Sequence, residues 1–109
     1  MSAMKLLDGK VIVVTGAGRG IGRAAAIKVA AAGARTIVVA RKQDELDAAK
    51  AEIEKAGGTC FTYSCDLADM ASIDALAKQV LADHGTVDIL VNNAGRSIRR
   101  SLALSYDRF

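Results

Sequence analysis

Apolar residues occur along the chain in short dense runs, separated by longer segments with a helical repeat. Lys10 to Thr15 carries Val11, Ile12, Val13 and Val14 in succession, which predicts a strand buried on both faces. Residues 21 to 32 then read as helix. Ala24, Ala25, Ala26, Ala30, Ala31 and Ala32 combine high helix propensity with small volume, so the helix can lie close against a sheet, and Gly33 is placed to cap it. Arg35 to Ala40 predicts a second strand. Gln43 or Asp44 opens the next helix, where Leu46, Ala49, Ile53 and Ala56 recur at helical spacing before Gly57-Gly58. Thr59 to Cys65 is a third strand with Phe61 and Tyr63 on one face. Asp69 caps a third helix with Ile73, Leu76, Ala77, Val80 and Leu81 as its stripe; His84 helps to end it, since Gly85 follows. Val87 to Val91 is the fourth strand, and Leu102, Leu104, Tyr106 and Phe109 mark the start of a further helix.

Strands alternating with helices predict an α/β fold with a parallel sheet, right-handed crossovers and a ligand at the carboxyl ends of the strands. The expected architecture is a Rossmann-type doubly wound parallel sheet, incomplete, with about four strands and flanking helices. A sheet that stops at Val87 to Val91 leaves a strand apolar on both faces as an open edge, which favours pairing with another chain. Residues 1–109 are therefore expected to be the N-terminal part of a longer domain, or to need a partner over that edge.

Composition sharpens this picture in a few places. Aromatic residues make up only 4% of the chain, so the core must be aliphatic. A net charge of +3 suits an anionic ligand but falls well short of a nucleic-acid surface. No run approaches the ~20 apolar residues of a membrane span, and the N-terminus lacks the apolar region of a signal peptide, so a cytoplasmic protein is expected. Cys60 and Cys65 have an odd separation within one strand, which sets them on opposite faces, reduced and structural. They do not complete a metal site with the lone His84, and no metal is predicted.

The chemistry concentrates at strand ends. The first strand runs into Thr15-Gly16-Ala17-Gly18-Arg19-Gly20-Ile21-Gly22 and at once into helix, the order that binds a nucleotide phosphate. Glycines reach backbone angles that a Cβ forbids and let a phosphate approach the main chain, while the helix aims its free N–H groups and its positive dipole end at the same place. The spacing G-x-G-x-x-G fails in both registers, because Ile21 and Arg23 stand where glycine is required. What fits is T-G-x-x-x-G-x-G at Thr15, Gly16, Gly20 and Gly22. About 20 residues on, where a carboxylate would choose NAD by bonding the ribose 2′-OH, the chain has Ala40-Arg41-Lys42 and no acid until Asp44. Arg41 offers a planar fork for a 2′-phosphate, with Arg19 closing from the other side; alternatively Arg41 and Lys42 are solvated loop charges. Asp66, taken alone, is equally a turn cap or a ligand-binding carboxylate.

The glycine spacing, Asp66-Leu67 after the third strand, and Asn92-Asn93-Ala94-Gly95 after the fourth together resemble the short-chain dehydrogenase/reductase family, over about residues 8 to 95. The resemblance implies that Asp66 bonds the adenine amino group and that the backbone of Leu67 contacts the ring. It implies that Asn92 holds the fourth strand and the adenosine side of the cofactor, with Ala94 and Gly95 passing close to it. The expected cofactor-binding set is Gly16, Gly18, Arg19, Gly20, Ile21, Gly22, Arg41, Asp66, Leu67, Asn92, Ala94 and Gly95, for NADP(H), with NAD(H) the runner-up. Members that transfer hydride use Ser, Tyr and Lys, the last two as Tyr-x-x-x-Lys. Tyr106 would need its lysine at position 110, and Ser97, Ser101 and Ser105 come too early, so no catalytic residue is assigned and the chain alone is expected to be inactive. Arg96 to Arg100, with Ser105 to Phe109, is similar to reductases of fatty acyl thioesters; the same basic stretch also reads as a solvated loop. The implied function is an NADP(H)-dependent oxidoreductase acting on a carbonyl or alcohol, an acyl thioester among the candidates, as a homo-oligomer when complete. The alternative is a non-catalytic nucleotide-binding module.

Overall fold

The computed structural model describes residues 6–93. In chain order the elements are β1 (Val11–Thr15), α1 (Gly20–Ala31), β2 (Arg35–Ala40), α2 (Gln43–Lys55), β3 (Thr59–Ser64), α3 (Met70–His84) and β4 (Ile89–Asn92). The four strands form one parallel sheet in the order β3-β2-β1-β4. The chain steps outward from β1 to β2 to β3, then crosses back to set β4 on the far side of β1. That reversal beside β1 is the switch point at which open α/β sheets bind their ligands.

Consecutive apolar residues in β1 and β2 serve two cores. Val11, Val13, Ile37 and Val39 pack under α3 through Ile73, Leu76, Ala77 and Val80. Ile12, Val14 and Val38 face the other way, against Ala26 and Ala30 of α1 and Leu46 and Ile53 of α2. The result is three layers, with α1 and α2 on one face and α3 on the other. Ala26 and Ala30 are the two alanines of α1 that sink fully into this contact; Ala24 and Ala31 are exposed and contribute propensity only. Cys60 and Cys65 are free and lie in opposite cores, and burial pushes the Cys60 thiol up to about 11.

Boundaries shift where a side chain or backbone group is already engaged. β4 begins at Ile89 rather than Val87, because Asp88 is committed to the start of β1. Its carboxylate accepts from the Val11 N–H at 2.8 Å and its own N–H donates to the Val11 carbonyl. As an edge strand β4 is only half buried, and Ile89 is 40% exposed. β3 ends at Ser64, one residue before Cys65. Gln43 does begin α2, but the N-cap is Lys42 and makes no side-chain cap bond. Ala56, expected in the apolar stripe of α2, is instead its exposed C-cap, and Leu81 of α3 is half buried. Ala32 caps α1, with Gly33 next at φ +100°. Asp69 caps α3 as expected, accepting from Ala71 N at 3.1 Å, and Gly85 ends that helix in the left-handed region.

His84 does more than end α3. Its ring meets Phe61 edge-on at 4.7 Å, and its Nε2 lies 3.2 Å from the Tyr63 hydroxyl. That hydroxyl donates its only proton to Asp83 at 2.6 Å, so Nε2–H must donate to the phenol oxygen. Nδ1 is then a buried acceptor with no hydrogen-bond partner among the described residues. Burial, and secondarily Arg35, hold the His84 pKa below its ordinary 6.5. The unfolded chain therefore takes the proton first as pH falls, so the stability His84 contributes is complete above about pH 6.5 and is lost through lower pH. The melting temperature is expected to fall between about pH 7.5 and pH 5 more steeply in the wild type than in His84→Leu, which cannot titrate. Parallel thermal melts of the two proteins check this.

Candidate functional site

Thr15, the last residue of β1, is fully buried and ties two distant motifs together. Its hydroxyl donates to Asn92 Oδ1 at 3.1 Å, across 77 residues of sequence, and accepts from the Asn93 N–H at 3.0 Å. Asn93 Nδ2 reaches the Gly16 carbonyl at 3.4 Å. The glycine turn and the Asn-Asn turn are thereby held side by side at the switch point.

The turn needs its glycines for different reasons. Gly16 and Gly20 sit at φ +64° and +63°, where an L side chain is strained. Gly22 is a matter of space, since a Cβ there would lie 2.1 Å from the Gly16 carbonyl oxygen. With that space empty, α1 starts directly against the end of β1. Its N-cap, Arg19, makes no side-chain cap bond, and the first-turn N–H groups of a helix have no intrahelical acceptor. The positive end of the helix dipole therefore faces the turn.

A cleft of about 400 Å³ opens over the carboxyl ends of β1, β2 and β3. Of the expected set, Gly16, Gly18, Arg19, Arg41, Asp66 and Leu67 line it. Gly20, Ile21 and Gly22 form the start of α1 beyond its wall, with Ile21 80% exposed. Asn92 is held by Thr15 at the end of β4, and Ala94 and Gly95 lie outside the described residues, as does the basic stretch 96–100. Asp66 also fills its turn-capping role, its Oδ1 accepting from Ala68 N at 3.0 Å. The backbone of Arg41 is fixed by Ser64, whose hydroxyl donates to its carbonyl at 3.1 Å. Among the described residues the Arg41 guanidinium makes no hydrogen bond or ion pair, and no cluster of three His, Cys, Asp or Glu is placed to hold a metal.

Two residues of the site escaped the sequence reading. Arg23, read above only as a position where glycine was missing, is the brace of the turn. Its Nε and Nη2 both donate to the Gly18 carbonyl, at 3.1 and 2.7 Å, while Nη1 reaches Glu52 of α2 at 3.4 Å. The available signal was its place one helical turn beyond Arg19, since helical side chains lean toward the N-terminus. The second is Glu45. Asp44, the first acid after β2, is exposed and stays outside the cleft, whereas Glu45 lines it. Glu45 packs against Gly18, where a Cβ would meet its Oε1 at 2.5 Å, and its Oε2 lies 3.9 Å from Arg19 Nε. Helical phase carries this signal, because position 45 lies one turn before the buried Ala49 of α2.

Gly22→Ala is expected to cost about 1–3 kcal/mol through overpacking against the Gly16 carbonyl. Arg23→Ala is expected to cost a similar ~1.5–3 kcal/mol by removing a charged donor pair from the Gly18 carbonyl. Denaturant titration of each variant against the wild type measures both.

The sequence pattern of short chain dehydrogenases matches residues 10–107. The fatty acyl-CoA reductase of Acinetobacter baylyi is 52% identical over 103 residues, covering 94% of this chain and 35% of its own length. Among solved structures, a citronellol catabolism dehydrogenase of Pseudomonas aeruginosa superposes with a TM-score of 0.89 at 32% identity, covering 93% of this chain and 52% of that one. A metagenomic short-chain oxidoreductase in complex with NADP gives a TM-score of 0.79 at 50% identity, over 82% of this chain and 40% of its own. The chain spans about a third of the length of the curated relatives it matches. With its glycine spacing, its parallel β3-β2-β1-β4 sheet and these relatives, the chain belongs to the short-chain dehydrogenase family.

Proposed function

We propose that this chain supplies the cofactor-binding part of an NADP(H)-dependent oxidoreductase acting on a carbonyl or alcohol substrate. The observation that carries the reading is Arg41. It follows β2 at the cleft, without an internal partner among the described residues, and Arg19 belongs to the same lining. A guanidinium fork in that place suits a phosphate on the adenosine ribose. The backbone cradle kept open by Gly22, and the N-terminus of α1, suit the pyrophosphate. Asp66 and Leu67 form the wall for the adenine, and Asn92 ties the end of β4 to β1 through Thr15. When bound, the dinucleotide supplies a hydride donor or acceptor at its nicotinamide ring; the residues of this chain bind and orient it. The NADP complex of a solved relative at 50% identity supports the same choice.

The reading extends to the whole protein. Residues 1–109 are taken as the N-terminal part of a longer reductase domain, which the share of its relatives' length supports. A relative named fatty acyl-CoA reductase, at 52% identity, supports an acyl thioester as the carbonyl substrate. The enzyme is proposed to work in the cytoplasm as a homo-oligomer; among the described residues no helix is long and apolar enough to cross a membrane.

Fluorescence titration with NADPH and NADH tests the cofactor choice. NADPH is expected to bind at least about tenfold tighter, and Arg41→Asp to abolish that preference, the scale of one charge-assisted phosphate contact. Equal affinities in the wild type, or a preference for NADH, overturn the reading.

A further inference from the structure

We infer that Glu45 is a specificity-determining residue of the cleft, a fixed negative charge that opposes a 2′-phosphate and so limits the preference for the phosphorylated dinucleotide. The inference rests on the reading that this cleft receives the adenosine ribose.

Three observations carry it. First, Glu45 lies within the wall of the cleft, against the backbone of Gly18, with no side chain between its carboxylate and the turn. Second, its partnership with Arg19 is loose: Nε and Oε2 are 3.9 Å apart, beyond hydrogen-bonding distance. Third, the two partners differ in freedom. The Arg19 side chain is 82% exposed and that of Glu45 only 24%. An arriving anion can therefore draw Arg19 away, whereas the carboxylate stays where Gly18 and the first turn of α2 hold it.

The exchange is then unequal. A 2′-phosphate gains Arg19 and Arg41 but must sit beside the carboxylate that Arg19 leaves behind. A 2′-hydroxyl meets no such repulsion and can donate a hydrogen bond to the same oxygens. Glu45 thus acts on the difference between the two cofactors rather than on dinucleotide binding as a whole.

The test compares wild type, Glu45→Gln and Glu45→Ala by titration with NADPH and NADH at low and high salt, with thermal melts to establish that each variant is folded. Glu45→Gln keeps the shape of the side chain and removes its charge. It is expected to tighten NADPH about tenfold, the scale of one unit charge a few ångströms from a phosphate at a wet site, and to leave NADH within about twofold. The gain shrinks at high salt, and Glu45→Ala repeats it. An unchanged NADPH/NADH ratio overturns the inference while leaving the NADP(H) reading intact. Weaker NADPH binding by Glu45→Gln also overturns it, since Glu45 would then serve as a prop for Arg19. A wild type that prefers NADH, with Glu45→Gln moving the ratio toward NADPH, upholds the inference and overturns the NADP(H) reading. Binding of neither dinucleotide by any of the three proteins overturns both.

Discussion

The empty space at Gly22 is the constraint on which the rest of the site depends. A Cβ there would lie 2.1 Å from the Gly16 carbonyl oxygen. Only without it can α1 begin so close to the end of β1 that its dipole and its first N–H groups meet the glycine turn. The same approach brings Arg23, one turn into the helix, within reach of the Gly18 carbonyl, where it makes two hydrogen bonds. The turn is thus shaped by a missing side chain on one side and held by a charged one on the other. Arg23 also reaches Glu52, so the turn is tied to α2 as well as to α1.

β1 passes that geometry to the sheet. All its residues are buried, and it pairs with β2 on one side and β4 on the other. Thr15 fixes the end nearest the site through Asn92 and Asn93, and Asp88 fixes the opposite end through both backbone groups of Val11. β4 is therefore pinned at each end of a short strand although its outer edge is only half covered. Side chains that contribute little to the hydrophobic core set the register across the switch point.

The charges of the cleft are nearly balanced. Arg19 and Arg41 bring two cations to its lining, and Glu45 and Asp66 bring two carboxylates. Asp66 is partly occupied in capping its own turn. Both arginines are exposed, whereas Glu45 is half-buried against Gly18. The glycine spacing explains the shape of the turn between β1 and α1. Gly18 is where these side chains converge, since Arg23 bonds its carbonyl and Glu45 packs against it.

Local patterns were enough for the order and kind of the elements, the two-faced burial of β1, the opposite placement of Cys60 and Cys65, and the glycine turn between β1 and α1. These follow from local rules: apolar runs too short for helices, a helical repeat between them, and glycines where backbone freedom is needed. Strand ends were less legible, because Asp88 is withdrawn from β4 by a contact with residue 11 that no local pattern records. His84 was legible as a helix end but not as a partner of Phe61 and Tyr63 on a neighbouring strand. Arg23 and Glu45 were visible as charges but not as parts of the site. Their roles depend on which way two helices turn their faces as they pack over one sheet. That arrangement exists only in three dimensions, because the contact each makes is with Gly18, a residue that has no side chain to advertise it.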